Sequence, residues 1–343
     1  MNEIMKRDFD RFLIDFGSKF EDLRGSNLLI TGATGLIGST LVHCLLSLNS
    51  NNSITCPVRN LDKARTTYKD DYDKISFVES DLLDHLSNEN KSYDYIIHCA
   101  SPTSGKYMSE HPVETYEFSL ESTRALLKYS KDHSVKSLVY LSSLEYYGQI
   151  LEDRLITEDI VGYIDPIDPR SSYPLGKRSA EYLCVSYFKE YGVPVKIARL
   201  TQTFGAGVSK DDNRVFAQFA RSIINGEDII LHTTGESSKP YCYTTDCVSA
   251  ILYILLKGNN GEAYNVANQE TYISIREMAE FLKDNFSPKM NVRVELQPNM
   301  GYAPVTKLRL SSEKLMKLGW RPQYDLNSMF ENLINSLKYV CLD

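Results

Sequence analysis

Residues 28–38 read Leu-Leu-Ile-Thr-Gly-Ala-Thr-Gly-Leu-Ile-Gly, a short apolar run that breaks into three glycines at G-x-x-G-x-x-G spacing. A helical pattern follows at once, with Leu41, Val42, Leu45 and Leu46 on one face. Strand, tight turn and helix in that order leave few folds open. Gly32 lets the chain turn sharply, Gly35 lets backbone approach a pyrophosphate, and Gly38 lets the helix pack close to the strand. The helix N-terminus then offers unpaired N–H groups and the positive end of its dipole to phosphate. A merely structural glycine turn is the alternative, and the strand-to-helix context argues against it. The sequence therefore predicts a dinucleotide site at Gly32, Gly35, Leu36, Ile37 and Gly38.

The rest of the chain agrees with that start. Strand-like runs recur at 53–58, 75–79, 93–100, 137–142 and 195–200, with helical patterns at 112–132 and 173–191 between them. Such alternation means βαβ units and a doubly wound parallel sheet of the α/β class, the Rossmann arrangement. Beyond Thr201 the pattern is less regular. A helix near 213–225, a strand at 228–231, helices near 245–257 and 274–286 and a strand near 291–297 make a smaller α/β lobe over 201–343. At the other end, Ile4, Phe9, Phe12, Leu13, Phe16, Phe20 and Leu23 predict an amphipathic helix within 1–25 that docks on the main body.

Composition narrows the function. A length of 343 residues suits a nucleotide-binding core plus a lobe. The net charge of −7, with no long basic run, argues against a nucleic-acid partner. The 7 cysteines are scattered, and no C-x-x-C occurs, so neither a zinc site nor a disulfide framework is expected. Reduced thiols fit a cytoplasmic protein. No apolar run reaches membrane-spanning length, and the N-terminus does not read as a signal peptide.

The chemistry is carried by Tyr173-Pro174-Leu175-Gly176-Lys177 at the start of a helix. Four residues is about one turn, so tyrosine and lysine share a face, and Pro174 is tolerated in the first turn. A lysine ammonium beside a tyrosine favours the phenolate and moves a weak base towards use at neutral pH. The pair gains meaning from Ser142-Ser143, which closes a strand thirty residues earlier. A hydroxyl there holds a substrate alcohol while tyrosine takes its proton.

Gly32/Gly35/Gly38, Asp81, Ser143, Tyr173 and Lys177 together resemble the extended short-chain dehydrogenase/reductase superfamily, the nucleotide-sugar epimerases, dehydratases and decarboxylases. The resemblance runs from about Asn27 to Trp320. Within it, Ala100-Ser101-Pro102, Ser142 to Gly148, Arg170-Ser171-Ser172-Tyr173, Gly176-Lys177-Arg178, Asp212-Asn213-Arg214-Val215 and Leu318-Gly319-Trp320 are most similar to UDP-glucuronate decarboxylases. The resemblance implies that 243–266 returns to the dinucleotide-binding domain (26–200), leaving 201–242 and 267–343 as the substrate lobe. It implies a homodimer through the helices near 112–132 and 173–191. It implies Ser143, Glu145, Tyr173 and Lys177 as catalytic residues. Arg59, Asp81, Leu82 and Ala100 join the glycine turn, Tyr173 and Lys177 at the cofactor. Ser101, Pro102, Gln202, Arg214, Lys239 and Tyr243 meet the nucleotide sugar.

Departures from the pattern shape the expected reaction. Dehydratases carry an Asp-Glu pair where this chain has Leu144-Glu145, so the acid that protonates a leaving hydroxyl is missing. The alternative for Glu145 is a loop carboxylate paired with a nearby base. Ser119 replaces a structural asparagine, Gln202 a substrate-facing asparagine, and Lys239 an arginine near the phosphates, a point charge in place of a fork. At the end of the second strand, Pro57-Val58-Arg59-Asn60 lacks the acidic residue that binds the ribose hydroxyls in NAD enzymes, and Arg59 suits a 2′-phosphate. Reactions that return their hydride within one turnover use tightly held NAD, which is the expected cofactor, with NADP the alternative. His98 and Cys99 lie in an apolar strand and read as core or cofactor floor, and no metal is expected. The expected activity is decarboxylation of UDP-glucuronate through a 4-keto sugar. A 4-epimerase, a 4,6-dehydratase, an NADPH-dependent sugar reductase and a dinucleotide-sensing binding module are the alternatives.

Overall fold

A computed structural model of the chain describes residues 1–340 apart from Asn90, Leu151, Asp153 and 298–304. An N-terminal helix α1 (Glu3–Phe16) precedes β1 (Asn27–Thr31), α2 (Leu36–Ser47), β2 (Ser53–Val58), α3 (Leu61–Tyr68), β3 (Ser76–Glu79), α4 (Leu82–Asn88) and β4 (Tyr95–His98). Then come α5 (Gly105–Glu110), α6 (Pro112–Asp132), β5 (Ser137–Ser143), β6 (Leu155–Ile156), α7 (Ser172–Tyr191), β7 (Val195–Leu200), β8 (Gln202–Phe204), α8 (Val215–Asn225), β9 (Ile229–Leu231) and β10 (Ser238–Tyr243). The chain closes with α9 (Thr244–Lys257), β11 (Ala263–Val266), β12 (Asn268–Ser274), α10 (Ile275–Phe286), β13 (Val292–Val294), β14 (Arg309–Leu310), α11 (Glu313–Lys317) and α12 (Leu326–Val340).

The main sheet has 7 strands in the order β11-β7-β5-β4-β1-β2-β3, all parallel. Both faces are covered over the centre of the sheet, so β1 and β4 are buried almost along their whole length rather than alternating, whereas the edge strand β3 is largely exposed. In β1, Leu28 and Ile30 pack with α1, α2 and α9, whereas Leu29 points to the other side, with α6 and α7. The strand order reverses at β1, and the crevice beyond the carboxyl ends of β1 and β4 is where such sheets bind dinucleotides. The second lobe is built on the sheet β12-β10-β8, against which α8, α10 and α12 pack around Phe204, Phe216, Tyr241, Tyr243 and Phe330.

The N-terminal helix stops earlier than its apolar pattern suggests. The α-helix ends at Phe16, and two short 3-10 turns, Gly17–Lys19 and Glu21–Leu23, carry Phe20 and Leu23 into the core. The expected strand at 93–100 is also shorter. It ends at His98, and the Ala100 N–H turns to the Thr31 hydroxyl at 3.1 Å instead of continuing the ladder. Among the described residues no helix is long and apolar enough to cross a membrane.

Candidate active site

The cofactor crevice is built by close approach. At Gly32 φ is +67°, and a Cβ there would stand 2.7 Å from the Ala100 backbone nitrogen. A Cβ at Gly38 would stand 2.3 Å from the Gly32 carbonyl oxygen, so only glycine lets α2 seat on the turn. Leu36 and Ile37 open α2, whose N-terminus has no side-chain cap, which leaves its first N–H groups for an anionic ligand. Below the turn, Thr31 Oγ1 meets His98 Nδ1 at 2.7 Å and His98 Nε2 meets Ser122 Oγ at 3.1 Å, tying β1 and β4 to α6. Burial drives the His98 pKa down to about 3, so the ring is a neutral structural post. These residues fit a pyrophosphate on the α2 N-terminus.

The outer rim is less committed. Arg59 is exposed just past β2, beside Asn60, which caps α3 by accepting from the Lys63 N–H at 2.8 Å. Asp81 caps α4, its carboxylate accepting from the Leu83 N–H at 2.9 Å. The Leu82 side chain belongs to the core cluster that holds Leu29 and Ile96.

The residues expected to react come from two neighbouring elements. β5 runs to Ser143, whose Oγ accepts from the Glu145 N–H at 3.2 Å and opens a short 3-10 turn over 144–147. α7 starts at Ser172 and places Tyr173 and Lys177 one turn apart. Arg178, next on the helix, holds that turn by donating to the carbonyls of Tyr146 (2.6 Å), Tyr147 (3.1 Å) and Gly162 (2.7 Å). Ser119 donates to the Thr115 carbonyl and sits against Gly176, so α6 and α7 meet closely where the family has an asparagine. The Tyr173 hydroxyl faces the Ser143 and Ser101 hydroxyls. Ser101 Oγ lacks the alignment of a full hydrogen bond and stays buried and unpartnered.

The expected depression of the tyrosine pKa is not present in the protein alone. Burial pushes the Tyr173 hydroxyl well up, and the charge of Glu145 adds to it. Lys177 instead donates to the Leu141 carbonyl at 2.8 Å, with its ammonium 5.5 Å from the Tyr173 ring centre. Burial pulls Lys177 down to about 8. Forming the phenolate therefore needs positive charge beyond Lys177, or displacement of the Glu145 charge.

Glu145 lines the cleft next to this couple. Its side chain is open to solvent yet has protein packed densely around it, as on the wall of a deep cleft. That depth raises its pKa, while the charges of Lys239, Arg170 and Lys177 pull the other way. Lys239, at the start of β10, is half-buried and its pKa is lowered by burial, against the opposing pull of Glu145. Gln202 begins β8 with its Oε1 buried and unpartnered, and Ala100, Ser101 and Pro102 are half-buried on the segment leaving β4. Leu144 turns away from the cleft into a cluster with Tyr147, Ile156, Ala267, Leu308 and Leu310.

One expected substrate contact needs correction. Tyr243 is wholly buried: its ring stacks on Tyr324 at 4.0 Å and its hydroxyl donates to the Asp8 carboxylate. It is a packing residue of the second lobe, because β10 points Tyr243 into that core and towards α1. Arg214 is held by Asp212, with Nε 3.0 Å from both carboxylate oxygens, so its guanidinium is already matched by a carboxylate. Arg170 was visible only as part of a motif, and its charge acts on Glu145. Its position three residues before Tyr173 was the available signal. Among the described residues no cluster of His, Cys, Asp and Glu is arranged to hold a metal.

A Rossmann sheet that gathers Ser143, Tyr173 and Lys177 beside its glycine turn defines an extended short-chain dehydrogenase/reductase. More narrowly, the chain belongs to the NAD dependent epimerase/dehydratase family, whose profile matches residues 28–267, and NAD is its cofactor. UDP-glucuronic acid decarboxylase 6 of Arabidopsis thaliana is 30% identical over 302 residues, covering 87% of this chain and 85% of the relative. Among solved structures, a UDP-glucose 4-epimerase of Thermotoga maritima with UDP-glucose superposes with a TM-score of 0.78 at 22% identity, covering 92% of this chain and 99% of that one. A UDP-glucuronic acid 4-epimerase of Bacillus cereus, in complex with UDP-glucuronic acid and NAD, gives 0.77 at 20% identity, with the same coverages of 92% and 99%. The chain is thus an NAD-dependent enzyme of the nucleotide-sugar-modifying kind.

Proposed function

We propose that this enzyme decarboxylates UDP-glucuronate to UDP-xylose, acting as a homodimer. The observation that carries the reading is the pair Leu144-Glu145. Leu144 is packed into core, so no acid stands beside Glu145 to expel a hydroxyl as water. Glu145 meets the Tyr173–Lys177 couple from the cleft, with the cations Lys239 and Arg170 acting on it there. A sugar carboxylate fits that charge balance better than a neutral hydroxymethyl group.

When bound, NAD supplies the two-electron oxidation and reduction at one sugar carbon. Tyr173 takes the proton of the C4 hydroxyl, which Ser143 holds in place. The resulting 4-keto group is β to the C5 carboxylate, so the C5–C6 bond breaks, carbon dioxide leaves and its electron pair delocalises into an enolate. Glu145, its pKa raised by burial, is placed to hold or return a proton at C5. Lys239 and Arg170 orient the carboxylate, and Arg214 is the candidate for the diphosphate once Asp212 releases it.

The test is incubation of purified protein with UDP-glucuronate, UDP-glucose and dTDP-glucose, with products followed by mass. Loss of carbon dioxide from UDP-glucuronate is expected. A new isomer of unchanged mass means epimerisation, loss of water means dehydration, and either one without carbon dioxide release overturns the decarboxylase reading.

A further inference from the structure

Lys177 is a buried cation with an unusual shortage of direct counter-charge. It is 2% exposed and its ammonium donates to a carbonyl, that of Leu141. Among the described residues no carboxylate forms an ion pair with it. The groups that face it come from four elements. Its own helix α7 brings Tyr173, Glu181 and Cys184; the end of β4 brings His98 and, one residue past it, Cys99; β5 brings the Tyr140 ring at 4.8 Å; and the turn after β5 brings Glu145. His98 is neutral, and burial keeps both thiols and the Tyr140 hydroxyl protonated. Only Glu145 and Glu181 remain as sources of negative charge. Glu145 lies in the open cleft, where a substrate will change its surroundings.

Glu181 lies one helical turn beyond Lys177 on the same buried face, 4% exposed. Its carboxylate is fixed by Arg199 of β7, with Nε 3.1 Å from each oxygen and Nη2 2.8 Å from Oε2. Arg199 is fixed in turn. It donates to the Tyr147 hydroxyl at 2.9 Å and the Glu158 carbonyl at 2.7 Å, and its guanidinium lies 3.5 Å from the Tyr146 ring centre. A buried ion pair is a poor source of stability compared with apolar residues of the same size. The carboxylate is the member of this pair that reaches Lys177, since the guanidinium approaches it from the neighbouring strand.

We infer that Glu181 is a positioning residue that keeps the Lys177 ammonium charged at neutral pH, with Arg199 holding the carboxylate in place and limiting its strength. The inference rests on the reading of Tyr173 and Lys177 as the reacting couple, but not on which sugar is the substrate. Neither Glu181 nor Arg199 touches substrate or cofactor in this role.

The experiment measures NAD affinity by calorimetry across pH 5 to 10, and the pH dependence of kcat where a sugar is turned over. Lys177→Met identifies the inflection that belongs to Lys177. Glu181→Gln leaves Arg199 as the nearest charge and moves that inflection to lower pH, by about one pH unit. Arg199→Met leaves Glu181 unopposed and moves it to higher pH. The paired change Glu181→Gln/Arg199→Met removes both charges and places it between wild type and Glu181→Gln. Opposite shifts from two partners of one ion pair cannot come from loosened packing, which lowers kcat at every pH alike. An unmoved inflection, or shifts of the same sign, overturns the inference. The paired variant exchanges a buried pair for neutral groups and decides the matter if a single variant fails to fold: a wild-type inflection there also overturns it. An inflection that survives Lys177→Met overturns the reading of Lys177 itself, and the inference with it.

Discussion

At Tyr173 the proposed chemistry rests on a single oxygen. The tyrosine hydroxyl faces those of Ser143 and Ser101, and the Glu145 charge acts on it. Tyr173→Phe keeps the ring and removes the base. The expected outcome is loss of turnover by roughly 10²–10⁴-fold, with the circular dichroism spectrum and the calorimetric NAD affinity unchanged. Near-normal turnover would remove Tyr173 from the mechanism. Leu144 makes the complementary case. Restoring the dehydratase pair by Leu144→Asp does not create a dehydratase, because the side chain points into the cluster around Tyr147 and Ile156. Burying a carboxyl there costs about 2 kcal/mol or more. Urea unfolding reads that loss, and product mass reads the absence of dehydration.

At the scale of elements, the N-terminal helix shows what burial does to a charge. α1 lies against α2 and the second lobe together: Phe9 stacks on His43 of α2 at 5.2 Å, and Asp8 takes hydrogen bonds from Tyr243 of β10 and from Tyr324 at 3.3 Å. Burial raises the Asp8 pKa from 3.8 to about 6, against the pull of those tyrosines and of Arg7 and Arg11. A carboxyl that binds its proton more tightly when folded contributes stability below its unfolded pKa. That contribution fades as pH rises through about 6. Between pH 4 and 7 the wild type therefore loses about 2 kcal/mol from this group. Asp8→Asn removes that slope. Relative to wild type, the variant should gain stability on going from pH 4 to pH 7 in urea titrations, and a constant difference across that range contradicts the assignment.

The same helix also marks how far the sequence could be read. Its apolar spacing continued to Leu23, and nothing in that spacing reported that the α-helix would end at Phe16 while Phe20 and Leu23 stayed buried. The glycine turn and the Tyr173–Lys177 pair were legible because each is a local device whose partners lie within a few residues. The short strands β8, β10 and β12, together with α12, were not foreseen. Three- to seven-residue strands in a mixed small sheet carry little periodicity of their own, and tertiary packing decides them. Tyr243 was misplaced for the same reason. Its strand was unseen, so the side to which it points was unknown, and its partner Asp8 lies 235 residues away in the chain. Long-range charge relations such as Glu145 with Lys239 and Arg170 likewise have no local signature.

At the scale of the whole molecule, the helix that carries Tyr173 and Lys177 has a back as well as a front. The buried face of α7 holds Lys177, Glu181 and Cys184 against the sheet, and α6 packs alongside it. The opposite face is not finished like a solvent surface. Tyr182 is 73% exposed, and Val113 at the start of α6 is 61% exposed. Exposed aromatic and aliphatic groups on two adjacent helices suit a self-complementary contact in which the same pair of helices meets its copy across a two-fold axis. Such a contact would stiffen α7 from behind, and so hold Tyr173 and Lys177 against the cleft. Light scattering at micromolar concentration should give twice the chain mass of 39.1 kDa. Tyr182→Glu places a charge at the centre of that contact, and the expected product is a folded monomer with weakened turnover and NAD still bound. A wild-type monomer at that concentration, or a Tyr182→Glu variant that remains dimeric, would assign the exposed faces of α6 and α7 to something other than self-association.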